Sequence, residues 1–327
     1  MAFYSPDAAM GQRLSSLVEG LAAGEGCGVP ASQLAITWLR YPRSLRAAAS
    51  AAAARSAPAR RSDQEDGALM GRGASWRGDQ GQDPGALVQL PYLVAVERWL
   101  QRDLLIDGAD LRRALAAMVR QGCLEATSHL VDVLSGTTSG PSLPPERQLL
   151  WERQRELVNG WLASLGWPEL QGCRACQKLW AGVPYGREQA SLREDGANGN
   201  SFSSEGLARL LQGVMADSLV SPPACARMRD LLRWGPDQGD GDGPRPSPLG
   251  ALLPPEARLW GLVASRSLGG GLALYGEVEG QEPFLVVLLD AQAAAQRGGA
   301  ASRAGMGDVR DDGTAALLAA LLGELLS

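Results

Sequence analysis

A chain of 327 residues, 45% hydrophobic and 20% charged, is long enough to bury a large core as one composite domain or as two. The formal net charge of −5 gives no electrostatic case for nucleic acid, and no apolar run approaches the roughly 20 residues that a membrane span needs. Five cysteines, an odd count, fit reduced thiols, and Met1–Asp7 carries neither a basic nor an apolar leader region, so a cytoplasmic protein is expected.

The chain opens on a helix signal. Ser5-Pro6-Asp7 reads as a hydroxyl cap followed by proline at the first helical position, and Met10, Leu14, Leu17, Val18 and Leu21 then recur at helical spacing. Leu34–Tyr41 is rich in branched and aromatic residues and reads as a strand. From Ser44 to Gln82 the composition turns to Ala, Arg, Gly, Ser and Asp, with little to form a buried face. This stretch reads as a disordered insertion, within which Ala47–Ala54 could form only a marginal helix.

Helical patterns fill the middle. The first runs from Pro84 to about Asp103, and a second follows Asp107 or Asp110 with Leu111, Leu115 and Met118. A third carries Ala126, Leu130, Val131 and Leu134 and stops at Gly136. Pro144 and Pro145 precede one long helix through Leu165, residues 166–200 read as loop, and Ser203 and Ser221 each cap a further helix. Beyond a Gly/Asp/Pro loop at 235–248 come three strand candidates, Arg258–Ser267, Gly271–Val278 and Pro283–Asp290, with a hairpin turn at Gly276–Gln281. Thr314–Leu326 closes the chain as an amphipathic helix. The expected fold is therefore α+β: an antiparallel sheet flanked by N- and C-terminal helices, with an inserted helical lobe. Residues 1–43 and 218–327 would form the α/β lobe, 44–82 the insertion, and 83–217 the helical lobe.

Several groups could carry chemistry. Cys123 could act as a nucleophile beside His129, the only histidine, but a spacing of six does not place two side chains on one helix face, and a buried structural cysteine is the favoured reading. Cys173-Arg174-Ala175-Cys176 is a lone C-x-x-C, with Cys225 and Cys123 the only other thiols nearby in sequence, and reads as ordinary loop thiols rather than a metal or redox site. Gly269-Gly270-Gly271 lacks the Lys-Ser/Thr of a phosphate loop and reads as a bend between strands. Arg60 and Arg61, near Arg55, are diluted by Asp63, Glu65 and Asp66 and read as solvated linker. No cofactor and no metal is expected.

One segment is more specific. Ala86-Leu87-Val88-Gln89, opening the helix through Trp99-Leu100, resembles the start of the first active-site helix of the class A β-lactamase-like serine hydrolases, the penicillin-recognising fold. That family carries Ser-x-x-Lys here, with serine as nucleophile and lysine one turn away. Glu125-Ala126-Thr127 with Leu130–Leu134 resembles the helix after the family's Ser-Asp-Asn loop. Ser203–Leu211 is similar to the helix after the omega loop, and Ala257-Arg258-Leu259-Trp260 to the lead-in to the Lys-Thr-Gly strand.

The resemblance implies an active-site cleft between helical lobe and sheet, and it places the losses. Ala86 stands at the nucleophile, Gln89 at the lysine, Cys123-Leu124-Glu125 at Ser-Asp-Asn, and Leu262-Val263-Ala264-Ser265 at Lys-Thr-Gly. Pro91 would break a helix begun at Pro84, at about 3 kcal/mol. Glu169 and Glu188 are candidates for the omega-loop carboxylate, with a solvated loop residue as the default for both. With these losses the resemblance implies a pseudoenzyme that binds an unidentified ligand or protein in the inter-lobe cleft, with no nucleic-acid or membrane partner. The alternative is an active serine or cysteine hydrolase acting on an amide or ester, through Cys123, Glu125 or a serine such as Ser265 or Ser267.

Overall fold

The computed structural model describes residues 3–23, 30–54, 70–179, 184–192, 198–234, 254, 256–264, 271–290 and 322–323. Seven strands form one sheet in the order β1-β3-β2-β7-β6-β5-β4: β1 Tyr4–Pro6, β2 Leu34–Arg40, β3 Gly71–Trp76, β4 Arg233–Trp234, β5 Arg258–Ala264, β6 Gly271–Glu277 and β7 Phe284–Asp290. Every neighbouring pair is antiparallel except β1 and β3, which run parallel. The sheet is therefore mixed at that edge rather than purely antiparallel as expected. The β6–β7 hairpin turns where the sequence places it, with Gln281 N–H donating to the Val278 carbonyl.

Ten helices are described: α1 Ala8–Ala23, α2 Leu45–Ala54, α3 Gln89–Gln101, α4 Ala109–Gln121, α5 Leu124–Ser135, α6 Pro145–Arg155, α7 Leu157–Ser164, α8 Gly186–Ser191, α9 Ser204–Met215 and α10 Pro222–Leu232. Ser203 and Ser221 cap α9 and α10 as their sequence signals require, accepting from the Gly206 and Ala224 amides. Gly136 ends α5 in the left-handed conformation.

Alternation along β2 divides the core in two. Leu34, Ile36 and Trp38 face one side, where they pack with Met10, Leu14 and Val18 of α1. Ala35 and Leu39 face the other, in a larger cluster that takes in α3, α4, α5, α9 and α10. Helix α9 packs against β2, β6 and β7 on that side and is the element on which the helical region meets the sheet. Leu322 is buried in the α1 cluster; the rest of the helix expected at Thr314–Leu326 lies outside the described residues apart from Gly323.

Four expectations need correction. Residues 44–82 are not one insertion. Leu45–Ala54 is helical and tied down by Leu45, whose amide donates to the Tyr275 hydroxyl at 3.1 Å, and Gly71–Trp76 is a sheet strand pairing with β2 across five residues. Ser5 does not cap α1: it lies in β1, and Asp7 Oδ1 accepts from the Ala9 and Met10 amides instead. The helix expected from Pro144 to Leu165 breaks at Glu156 into α6 and α7. Pro91 does not break a helix. A 3-10 turn at Gly85–Val88 precedes α3, so Pro91 occupies the first α-helical turn, where a backbone N–H has no intrahelical acceptor to lose.

Candidate functional site

The 3-10 turn Gly85–Val88 packs against β5 and β6, so Ala86 lies where the helical region meets the sheet. Ala86 is 5% exposed and belongs to the same large apolar core as Leu262 (6%) and Ala264 (3%) of β5. Three of the six positions singled out in the sequence are thus hydrocarbon side chains buried in that core.

Gln89, one turn on, is also buried. Its Nε2 donates to Thr127 Oγ1 at 2.9 Å, and Thr127 Oγ1 donates in turn to the Cys123 carbonyl at 2.8 Å. Gln89 and the Cys123–Thr127 turn of α5 are therefore joined through neutral groups. An amide in this chain of bonds fixes α3 against α5 and offers no basic lone pair for proton abstraction.

Cys123 is half-buried, not the fully buried structural cysteine expected. It caps α5: its sulfur accepts from the Ala126 amide, and its thiol donates to Glu125 Oε2 at 3.4 Å. Glu125 is exposed, and so is His129 farther along α5. Cys173 and Cys176 are both buried, and burial pushes both thiols above their ordinary value. Cys173 contacts the Glu169 carbonyl and Ser203 Oγ, whereas Cys176 contacts the Asn198 carbonyl and Arg174, so the two serve different loops. Burial pushes Cys225 up to about 11. Because the thiolate is the reactive form and access limits it further, a thiol-specific disulfide reagent should label Cys123 first among these four in the native protein. Peptide mapping of the labelled protein checks this; prior labelling of Cys173, Cys176 or Cys225 would contradict the packing described.

Glu169 sits half-buried in a 3-10 turn at Pro168–Leu170. Glu188 departs from its default reading as a solvated loop residue. It is fully buried on α8, not solvated in a loop, and it belongs to a constellation that sequence spacing does not announce. Arg155 Nη2 donates to Glu188 Oε1 at 2.6 Å and to Asp132 Oδ1 at 3.0 Å. Lys178 Nζ lies 2.5 Å from Asp132 Oδ2, 2.7 Å from Ser139 Oγ and 3.9 Å from Glu188 Oε1, and Ser139 Oγ donates to Glu188 Oε1 at 2.8 Å. Five residues spread over 57 positions of sequence thus converge from α5, α6, α8 and two loops. One signal could have found the group: Lys178 is the only lysine in the chain. Ser265, Ser267 and Arg55, Arg60 and Arg61 lie outside the described residues, as do Gly269 and Gly270.

No protein-family model matches the chain, and no curated protein matches it in sequence. Solved structures do match in shape. An ancestral class A β-lactamase is similar over 97% of this chain and 98% of its own, with a TM-score of 0.52 and 14% identity. PBP-A is similar over 97% and 96%, with a TM-score of 0.54 and 11% identity. A β-lactamase from Sphaerobacter thermophilus DSM 20745 is similar over 94% and 98%, with a TM-score of 0.52 and 15% identity. The fold is that of the class A β-lactamases and PBP-A. At such identities the likeness is one of architecture, with function left to the side chains. On this β-lactamase fold the chain carries hydrocarbon at Ala86, Leu262 and Ala264, a neutral amide at Gln89, and its only lysine in the Ser139–Glu188 constellation.

Proposed function

We propose that the chain is a catalytically degenerate protein of the β-lactamase fold, with a binding or structural role centred on the junction between helical region and sheet. One observation carries this reading: Ala86 is a buried hydrocarbon side chain in the same apolar core as Leu262 and Ala264, while the neighbouring Gln89 amide is engaged by Thr127. Acyl transfer by this fold needs an activated nucleophile, a base and oxyanion donors. Alanine supplies no nucleophile and glutamine no base. Backbone donors such as the Ala86 N–H could outlast that loss, which would leave recognition of a peptide-like ligand or a protein segment without turnover. A reducing, cytoplasmic setting suits the four described cysteines, all free thiols.

The test is turnover. Purified protein incubated with nitrocefin should hydrolyse it no faster than buffer, since loss of one triad member in a subtilisin-type enzyme costs about 10⁴–10⁶ in rate. Hydrolysis above that level that survives further purification overturns the reading.

A second reading rests on Ser139. Its hydroxyl lies within hydrogen-bond reach of both an ammonium and a carboxylate, Lys178 and Glu188, a serine-and-base pattern that an active amide or ester hydrolase could use. The geometry favours it less. Lys178 is paired with Asp132 at 2.5 Å, and Glu188 with Arg155 at 2.6 Å, so both candidate bases are committed to ion pairs rather than to the Ser139 hydroxyl alone. Labelling of Ser139 by a fluorophosphonate, located by peptide mapping, would establish this second reading in place of the first.

A further inference from the structure

The loop that follows α3 turns apolar side chains toward solvent. Leu104 is 61% exposed and Ile106 91%, the highest value of any large hydrophobic residue among the described residues. A single exposed apolar side chain is ordinary on a monomer, but here two stand together in one short loop beside a concavity. A groove of about 430 Å³ opens between α4 and α10, lined by Arg112, Ala226, Arg227, Asp230 and Leu231. Arg112 joins the two features: its Nε and Nη2 donate to the carboxylate of Asp107, the residue after Ile106, each at 2.6 Å.

The groove holds its charges in pairs. Arg112 Nη1 and Arg227 Nη2 each reach the buried carboxylate of Glu97 at 2.6 Å, and Asp230 is met by Arg120 at 3.2 Å. Ala226 and Leu231 supply hydrocarbon between these walls, as do the stems of the two arginines, so an apolar side chain can enter without separating an ion pair. The neighbouring loop carries unused charge of both signs. Arg102 and Asp103 are adjacent and exposed, and neither has an ion-pair partner among the described residues.

We infer that this face seats a second copy of the same chain across a two-fold axis, with Ile106 of each protomer entering the α4–α10 groove of the other. Two observations select a second copy over an unrelated partner. Knob and groove lie side by side on one face, so a single two-fold rotation seats both at once and closes the assembly at a dimer. The unused charges are equal and opposite, so the same rotation can set Arg102 of one protomer against Asp103 of the other. A contact built on one loop and two helices is small, and a reversible dimer with a Kd of roughly 1–100 μM is expected. It draws on no residue of the Ala86 junction, so it stands or falls independently of catalytic degeneracy there.

Sedimentation velocity of the full-length chain, run from roughly 1 to 500 μM, reads this association directly. A concentration-dependent shift from the 34.4 kDa monomer toward twice that mass is expected. Ile106→Asp, which carries a charge into the groove, and Ala226→Trp, which fills it, should each raise Kd at least about tenfold. Arg102→Glu should raise it about fivefold by setting like charges against each other. All three positions are exposed, so these variants should unfold thermally as the parent does when dilute. Leu150→Asp, on α6 at 58% exposure, should leave Kd unchanged. A monomer throughout the range overturns the proposal and leaves the face to a partner of another kind. So does growth beyond a dimer, or a Kd unchanged in Ile106→Asp, Ala226→Trp or Arg102→Glu.

Discussion

Glu188→Ala is expected to cost about 3 kcal/mol of unfolding free energy, toward the lower end of what breaking a buried ion pair usually costs. The carboxylate is fully buried and holds Arg155, itself 3% exposed, along with Ser139. Without it, Arg155 and Lys178 must share Asp132, and a guanidinium is left partly uncompensated in a low-dielectric site. Asp132 moderates the loss, as does the Trp151 ring, whose centroid is 4.6 Å from the Arg155 guanidinium carbon. Glu188→Leu combined with Arg155→Met should recover much of the stability, because an apolar pair of similar volume avoids the desolvation of both charges. Urea unfolding of the single and double variants measures this directly. Asp110→Ala serves as reference: its partner Arg113 is largely exposed, and the change should stay within about 0.5 kcal/mol. If Glu188→Ala costs no more than Asp110→Ala, the network is not a structural lock.

Gly261→Ala is expected to be at least as damaging, at about 3–5 kcal/mol, or to abolish cooperative unfolding. Gly261 lies mid-way along β5 at φ +155°, where side chains are strained by roughly 1–3 kcal/mol. A Cβ built there would sit 2.0 Å from the Ala273 carbonyl oxygen, and that atom belongs to the backbone of β6 and cannot rotate away. The strands would have to separate, adding an overpacking cost of about 1–3 kcal/mol beside Leu262 and Ala264. Its carbonyl also accepts from the Trp234 indole, so movement of β5 would strain the β4 edge. Gly160→Ala on α7 makes the opposite prediction. Nothing lies within 4 Å of its added Cβ, and a helical alanine should stabilise by about 0.5–1 kcal/mol. Thermal and chemical unfolding of the two variants gives a signed comparison; a harmless Gly261→Ala would mean that β5 and β6 are not packed as described.

These two sites mark the limit of what the sequence reveals. Strands β2, β5, β6 and β7 are readable because branched and aromatic runs such as Leu34–Tyr41 and Phe284–Leu289 want a pleated, buried surface. Helices α9 and α10 announce themselves by serine caps and α5 by its terminal glycine. Strand β3 hides because Gly71-Arg72-Gly73-Ala74-Ser75-Trp76 has no branched residue and two glycines. Those glycines answer a tertiary demand: a Cβ at Gly73 would lie 2.3 Å from the Trp38 carbonyl oxygen of β2. Helix α2 is hidden likewise, since its alanines promise little until Tyr275 and the core receive Leu45.

At the candidate site, the sequence shows hydrocarbon at Ala86, Leu262 and Ala264, and all three are buried in one core, while Gln89 is linked to the Cys123 turn through Thr127. Sequence could not supply the intermediary. Thr127 looks like any helix residue until its hydroxyl is seen between an amide and a carbonyl. The Arg155–Glu188–Lys178 group is hidden for a related reason: its members recur at no helical or strand period, and apart from the singularity of Lys178 each alone reads as a solvated charge.

Intact-mass spectrometry after prolonged incubation with a fluorescent penicillin tests the central claim most directly. A degenerate β-lactamase fold with Ala86 in an apolar cluster predicts a mass unchanged by acylation and no fluorescence on the denatured chain. A single stoichiometric adduct of penicillin mass, whether on Ser139, Cys123 or another side chain, would contradict it.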